Sequence, residues 1–269
     1  MQKEYKLKFP NWVNNERIYP MCLSNDFDGL LSCKLLEMIN GYYILYFYDF
    51  KGLYCHYYWR KENFVGIDID LVNGMCWGNH VTPIFNSNSA NLNVIEKITN
   101  ENYTKKYAGS TALQIWSYYD IPLPDNEEAK MILLTIDCFY KGFYINDFRE
   151  TQINYCEILE FPELIDLINK YTENDFRKIE KKYNIFGKIF MQPNGKLNSI
   201  IRLAELSKIF KVDFTLPYFR FDKVKTFIRK KHKGSNLFDL TNVFSSAMTY
   251  KNRTVYSVEN VLCSESKVC

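Results

Sequence analysis

The segment Cys22-Leu-Ser-Asn-Asp26-Phe-Asp28-Gly29-Leu-Leu sets two carboxylates two residues apart where an apolar strand hands over to an apolar helix. Upstream, Arg17-Ile-Tyr-Pro-Met-Cys-Leu reads as a mostly buried strand. Downstream, Gly29-Leu-Leu-Ser-Cys-Lys-Leu-Leu-Glu-Met-Ile opens a helical period of apolar residues. Asp26 and Asp28 therefore fall on the connection, where the amides of a helix start favour negative charge. Such a pair can cap the helix or hold a metal ion, and capping is the commoner use of an isolated Asp-x-Asp. The rest of the chain has to discriminate.

A chain of 269 residues can bury a sizeable core, as one large domain or two ordinary ones. With 47% apolar and 24% charged residues, disorder is excluded. A net charge of only +3 argues against wholesale coating of nucleic acid but leaves room for a local basic patch. The eight cysteines, at 22, 33, 55, 76, 138, 156, 263 and 269, show no zinc-type spacing, and several lie in apolar runs. They are expected as reduced core residues of a cytosolic protein. The N-terminus lacks an apolar signal core, and no charge-free run reaches the ~18 apolar residues of a membrane span. The expectation is a soluble, cytoplasmic chain with no membrane partner.

Further strands are expected at Tyr42-Tyr-Ile-Leu-Tyr-Phe-Tyr, at Asn63-Phe-Val-Gly-Ile-Asp68 and, more weakly, at Gly74-Met-Cys-Trp-Gly-Asn-His80. Strands that alternate with helices and end in polar residues point to an α/β fold. Its mainly parallel sheet is flanked by helices, and ligands gather beyond the carboxyl ends of the strands. An Asn- and Ser-rich loop follows, then helices over Lys106–Tyr119 and Glu127–Phe139 separated by Pro122 and Pro124. Asp137 would be a charge inside an apolar helical run, which is costly unless it is paired or bound to a metal. Beyond about residue 150 the chain turns amphipathic, with helices expected over Phe161–Tyr171 and Lys196–Phe210, a turn at Pro193-Asn-Gly195 and a short strand at Arg253–Val258. The expected division is a metal-binding domain over 1–150 and a smaller, largely helical region over 151–269.

Asp26, Asp28, Asp68, His80 and Asp137 then form an ordered series that resembles the DHH phosphoesterase superfamily over roughly residues 17–145. Ser24-Asn-Asp-Phe-Asp-Gly-Leu-Leu-Ser is similar to its first motif, Val65-Gly-Ile-Asp68 to the second, Gly78-Asn-His80-Val-Thr to the third and Leu133-Leu-Thr-Ile-Asp137-Cys-Phe to the fourth. The resemblance implies that Asp26, Asp28, Asp68, His80 and Asp137 are catalytic metal ligands for one or two Mn²⁺, with Mg²⁺ as an alternative, and that Asn79 supports them from behind. Hard divalent ions want such oxygens with a few imidazoles, make hydroxide available near neutral pH and neutralise both oxygens of a phosphoester displacement.

The third motif departs from the family. Asn79 stands where an aspartate is usual and Val81 where the second histidine faces the substrate phosphate. Cys22 and Ser24 occupy positions where an auxiliary histidine is common. The resemblance thus implies a phosphoesterase or phosphodiesterase acting on nucleic-acid ends or short nucleotides. The alternatives are a relative that keeps the fold as a binding or adaptor protein, and a pyrophosphatase-like enzyme.

Lys223-Val-Lys-Thr-Phe-Ile-Arg-Lys-Lys-His-Lys233-Gly holds six Lys or Arg and no acid. It reads as an amphipathic helix capped by Gly234, with Lys225, Arg229, Lys230 and Lys231 offered to phosphates or simply to water. Asp70, Lys105 and Lys106 are weaker site candidates. Cys76, Cys138 and His56 read as structural.

Overall fold

Pro20–Leu23 is buried along its whole length and forms β1, the strand on which the fold is organised. The computed structural model describes residues 1–56, 63–234 and 241–260. The other strands are β2 (Tyr43–Tyr48), β3 (Gly52–Cys55), β4 (Val65–Ile67), β5 (Cys76–Trp77), β6 (Ser89–Ala90), β7 (Ile189–Met191), β8 (Leu197–Ser199), β9 (Asp222–Lys233), β10 (Val243–Tyr250) and β11 (Arg253–Glu259). Among the described residues one nine-stranded sheet runs in the order β10-β11-β9-β3-β2-β1-β4-β5-β6, and β7 pairs only with β8. β2, β1, β4, β5 and β6 are parallel neighbours, whereas β3, β9, β11 and β10 join antiparallel.

Helices are α1 (Lys3–Lys6), α2 (Phe27–Asn40), α3 (Leu92–Ile95), α4 (Thr111–Tyr118), α5 (Glu127–Thr135), α6 (Phe139–Phe143), α7 (Asn146–Ile158), α8 (Glu163–Lys170), α9 (Glu173–Tyr183) and α10 (Leu203–Phe210). None is long and apolar enough to cross a membrane. Local chemistry sets their ends. Asp26 caps α2 through Gly29 N–H, and Gly41, at φ 68°, closes it in the left-handed conformation that glycine tolerates. Ser110 caps α4 and Asn126 caps α5, with Glu127 and Glu128 in the favoured first turn. The parallel strands are buried because helices and aromatic side chains cover them: Trp77, Tyr42, Tyr107 and Phe27 are among the largest fully enclosed groups. Cys22, Cys33, Cys55, Cys76 and Cys156 are buried, in keeping with a core role; Cys263 and Cys269 lie outside the described residues.

Three expected elements change. The basic segment is not a helix but most of β9, laddered between β3 and β11. Val224, Thr226, Phe227 and Ile228 suit a pleated surface, and ladder partners from distant parts of the chain decide what a short amphipathic run cannot. The helices of the C-terminal region end at Phe210, and the strands after it rejoin the N-terminal sheet. The run expected as a helix over Lys196–Phe210 splits into β8 and α10. The run through Asp137 is broken as well: α5 stops at Thr135, and Asp137 (φ 53°) and Cys138 (φ 60°) are both left-handed before α6 begins.

β10 also bends the sheet back on itself. Ser246 N–H donates to Asp70 O at 3.0 Å and Met248 N–H to Val81 O at 2.8 Å. The strand therefore runs beside the loops that leave β4 and β5. The last hairpin thus borders the carboxyl ends of the parallel strands.

Candidate metal centre

β1 lies between β2 and β4, so the chain winds to opposite sides of it and leaves a crevice at the carboxyl ends, where α/β sheets bind ligands. Asp26 follows β1 and Asp68 follows β4, which brings the first and second sequence motifs side by side. Asp28 sits in the first turn of α2 and Asp137 at the break after α5. Carboxylate oxygens of Asp28, Asp68 and Asp137 lie within 4.8 Å of one another. Asp28 is buried, Asp68 half-buried and Asp137 exposed, so the group opens to solvent at Asp137 and not, as the sequence suggests, behind an apolar helix.

Each carboxylate is held by protein donors. Asp28 accepts from Thr111 N–H and Ala112 N–H, both at 2.8 Å, so its two oxygens face the amino end of α4. Asp68 accepts from Ser24 Oγ at 2.9 Å and from Thr111 Oγ1 at 3.1 Å. Asp68 is itself left-handed (φ 57°), a conformation that Asp and Asn reach more readily than most residues. Asn79 donates its amide to Asp137 and to Gly109 O. Both partners are acceptors, which fixes the orientation of the Asn79 amide. Its Oδ1 is then a buried acceptor without a partner.

His80 bonds to Asp70 through Nδ1 at 3.0 Å. Asp70 also accepts from Asn91 at 2.8 Å, and Asn91 donates to His80 O at 2.8 Å. Asn93 bonds Asn79 O and Tyr107 O, and Asn86 bonds Leu71 O and Gly74 O. The Asn-rich loop therefore clamps the backbone of the third motif, a role that its composition alone did not reveal. Gly78 is required there, because a Cβ would come within 2.1 Å of Asp70 Oδ1.

Electrostatics divides the carboxylates. Burial, followed by the charge of Asp137, pushes Asp28 well above the ordinary carboxylate range. Burial and then Asp26, Asp28 and Asp137 do the same to Asp68. Asp137 is also raised by desolvation of its carboxyl, against the pull of His80 and the Asn79 bond. Asp26 behaves oppositely: burial would raise it, but the Lys188 ammonium, 2.9 Å from Oδ2, holds it below that range. Burial would lower His80, but its bond to Asp70 together with the charges of Asp70 and Asp137 raises it.

Lys188 was not found from the sequence, since it reaches Asp26 from 162 residues away with no motif around it. Of the four basic candidates, only Arg229 reaches a cavity that borders the carboxylates. This space of about 90 Å³ is lined by Asp68, Asp70 and His80 and by residues of the last strands, Arg229 among them. Lys225 pairs with Glu259 at 2.8 Å, while Lys230 and Lys231 are exposed along β9. Lys105 is exposed, and Lys106 bonds the Tyr103 hydroxyl at 3.1 Å. Val81, 1% exposed, packs with Ile98, Tyr103 and Met248 in a small apolar cluster. Cys76 is enclosed, Cys138 lies against Lys141 Nζ at 3.2 Å, and His56 stacks on Phe219 at 3.9 Å.

The donor set fits a hard divalent ion. It is built of the crowded oxygens of Asp28, Asp68 and Asp137, a group that neither Asp26 nor His80 joins within 4.8 Å, and of a leftover amide oxygen on Asn79, whose nitrogen donates to Asp137. Compared with models of known protein families, with curated proteins and with solved structures, the chain finds no match. The functional reading therefore stands on the residues themselves.

Proposed function

We propose that this chain is a manganese-dependent phosphoesterase on a DHH-like fold, acting on nucleic-acid ends or short nucleotides. One observation carries the reading: Asp28, Asp68 and Asp137, from three separate elements and three of the sequence motifs, converge within 4.8 Å. Asp28, Asp68, Asp137 and His80 would hold the ion, with Mg²⁺ as an alternative to Mn²⁺. When bound, such an ion neutralises charge on phosphoryl oxygens and activates water.

The chain's own groups divide the remaining work. Asp70 orients His80 so that Nε2 is the nitrogen left for a ligand. Asn79 steadies Asp137. Arg229, which lines the cavity together with Asp68 and His80, is suited to a phosphate by its planar fork of donors.

The second reading, a binding or adaptor protein on the same frame, is favoured by Val81. Its side chain is committed to an apolar cluster, so the position where DHH enzymes set a histidine against the substrate offers no proton. Incubation with Mn²⁺ and single-stranded DNA, RNA, short oligonucleotides or cyclic dinucleotides separates the two. Phosphoester hydrolysis is expected, with product lost in Asp28→Ala and Asp68→Ala. Manganese binding without turnover of any of these substrates would leave the binding-protein reading in its place.

A further inference from the structure

Four acidic side chains crowd the carboxyl ends of β1 and β4, yet Asp26, like His80, is absent from the group that closes to 4.8 Å; the two differ in that His80 has its partner Asp70 on Nδ1 and keeps Nε2 for a ligand. Asp26 Oδ2 is turned to an ammonium instead. Lys188 is delivered to that point by bonded backbone. Ile189 N–H donates to Asn25 O at 2.8 Å, tying the start of β7 to the residue just before Asp26. Ser199 Oγ, on the paired strand β8, donates to Lys188 O at 3.1 Å. Gly187 N–H closes the preceding turn onto Asn184 O at 2.8 Å, and a Cβ at Gly187 would come within 2.9 Å of that oxygen. The lysine's position thus follows from the β7-β8 hairpin and not from its long side chain alone.

An independent observation marks the other end of the cluster. Asn79 donates its amide nitrogen to Asp137, and the Oδ1 of the same amide is buried and unpartnered, an acceptor that the hydration of an ion can satisfy. Asp26, by contrast, already has the Lys188 ammonium as its partner.

Resting on the reading of the cluster as a divalent-metal centre, we infer that the site takes a single ion, held by Asp28, Asp68 and Asp137 with His80, and that the Lys188 ammonium occupies the second cation position at Asp26. Four carboxylates with one divalent ion and one ammonium carry a net charge of −1, so the ammonium does most of what a second ion would do for the charge. A second ion at Asp26 would have to expel Lys188 from a 2.9 Å ion pair. The lysine still neutralises Asp26, but unlike a metal ion it lacks open coordination positions for a phosphate or a water.

The test counts ions, without reference to activity. Native mass spectrometry and Mn²⁺ electron paramagnetic resonance on the full chain are expected to give one Mn²⁺ per wild-type molecule and one in Lys188→Arg, which keeps the charge. Lys188→Gln is expected to gain a second ion, with the exchange-coupled spectrum of a manganese pair. Two ions in the wild type, or one ion of unchanged affinity in Lys188→Gln, would overturn the inference while leaving the metal centre standing. No bound Mn²⁺ in the wild type would overturn the metal centre together with it.

Discussion

His80 Nδ1 lies 3.0 Å from Asp70 Oδ2, so the imidazole keeps Nε2 for a ligand on its other side. Carboxylates in this position fix the tautomer and ring orientation of metal-binding histidines and raise their basicity. Asp70→Asn removes the charge but keeps the shape. Mn²⁺ affinity is expected to fall about 10- to 100-fold, the usual consequence of losing such a partner. Isothermal titration calorimetry of the two proteins checks this, and equal affinities would remove His80 from the ligand set.

Asp68 is held by two hydroxyls, Ser24 Oγ and Thr111 Oγ1, which can rotate to meet an amide. Its left-handed backbone also suits Asn. Asp68→Asn is therefore expected to fold, to lose Mn²⁺ binding and, without metal, to gain on the order of 1 kcal/mol at neutral pH by relieving carboxylate repulsion. Urea denaturation in the presence of a chelator measures the gain. A loss of stability would show that Asp68 contributes to the metal-free fold by more than its charge costs.

The same variant isolates a pH dependence. Asp68 binds its proton more tightly in the folded chain than in the unfolded one, so its contribution to stability is greatest at low pH. That contribution shrinks as pH rises from the ordinary value near 3.8 through the raised one. Asp26 has the opposite sign, because Lys188 lowers it: its stabilisation is present above the unfolded value and lost as pH falls through the depressed one. Without metal, the stability advantage of Asp68→Asn over wild type is accordingly expected to widen as pH rises from near 3.8 through the raised value. Paired urea titrations across the acid-to-neutral range read it, and a difference that stays constant from the ordinary carboxylate value upward would contradict the raised pKa.

How much of this was legible beforehand depends on whether a signal is local. The Asp26 cap, the strand ending at Leu23 and the helix after it are readable from neighbouring residues, because capping and periodicity act over one or a few turns. The break at Asp137 was not, since two consecutive left-handed residues there are Asp and Cys, neither of them glycine. β9 reads as a helix in isolation because the strands that make it a strand, β3 and β11, come from other parts of the chain. Lys188 is beyond local reading for a related reason, since it needs the β7-β8 hairpin; Arg229 stands among the four basic candidates of the sequence, but singling it out from the other three needs β10 folded against Asp70 and Val81.

Gly29 offers a test of the frame with no change of charge. A Cβ there would come within 1.9 Å of Ser24 Oγ and 3.1 Å of Ser24 Cβ, and Ser24 Oγ is the hydroxyl shared by Asp26 and Asp68. Gly29→Ala must therefore displace Ser24, even though alanine is the better helix former. Overpacking of this kind costs roughly 1–3 kcal/mol. Gly29→Ala with Ser24→Gly should recover part of that loss, and a single variant as stable as wild type would refute the close approach.

Arg229 and Lys230 are adjacent on β9 and point to opposite faces, as successive strand residues must. The Arg229 side faces Phe50, whose ring lies 5.3 Å from the guanidinium, and borders the cavity shared with Asp68 and His80. Lys230 is exposed on the other side. If the cavity receives a phosphate, only the first of these cations can donate to it, and a hydrogen bond to a charged group contributes roughly 1.5–3 kcal/mol. Arg229→Ala is expected to weaken oligonucleotide binding by roughly 10- to 100-fold. Lys230→Ala should change it much less and mainly through its salt dependence. Fluorescence anisotropy with a labelled short oligonucleotide distinguishes them. Equal losses in the two variants would mean that β9 acts as a diffuse basic surface and that the cavity is not where the phosphate binds.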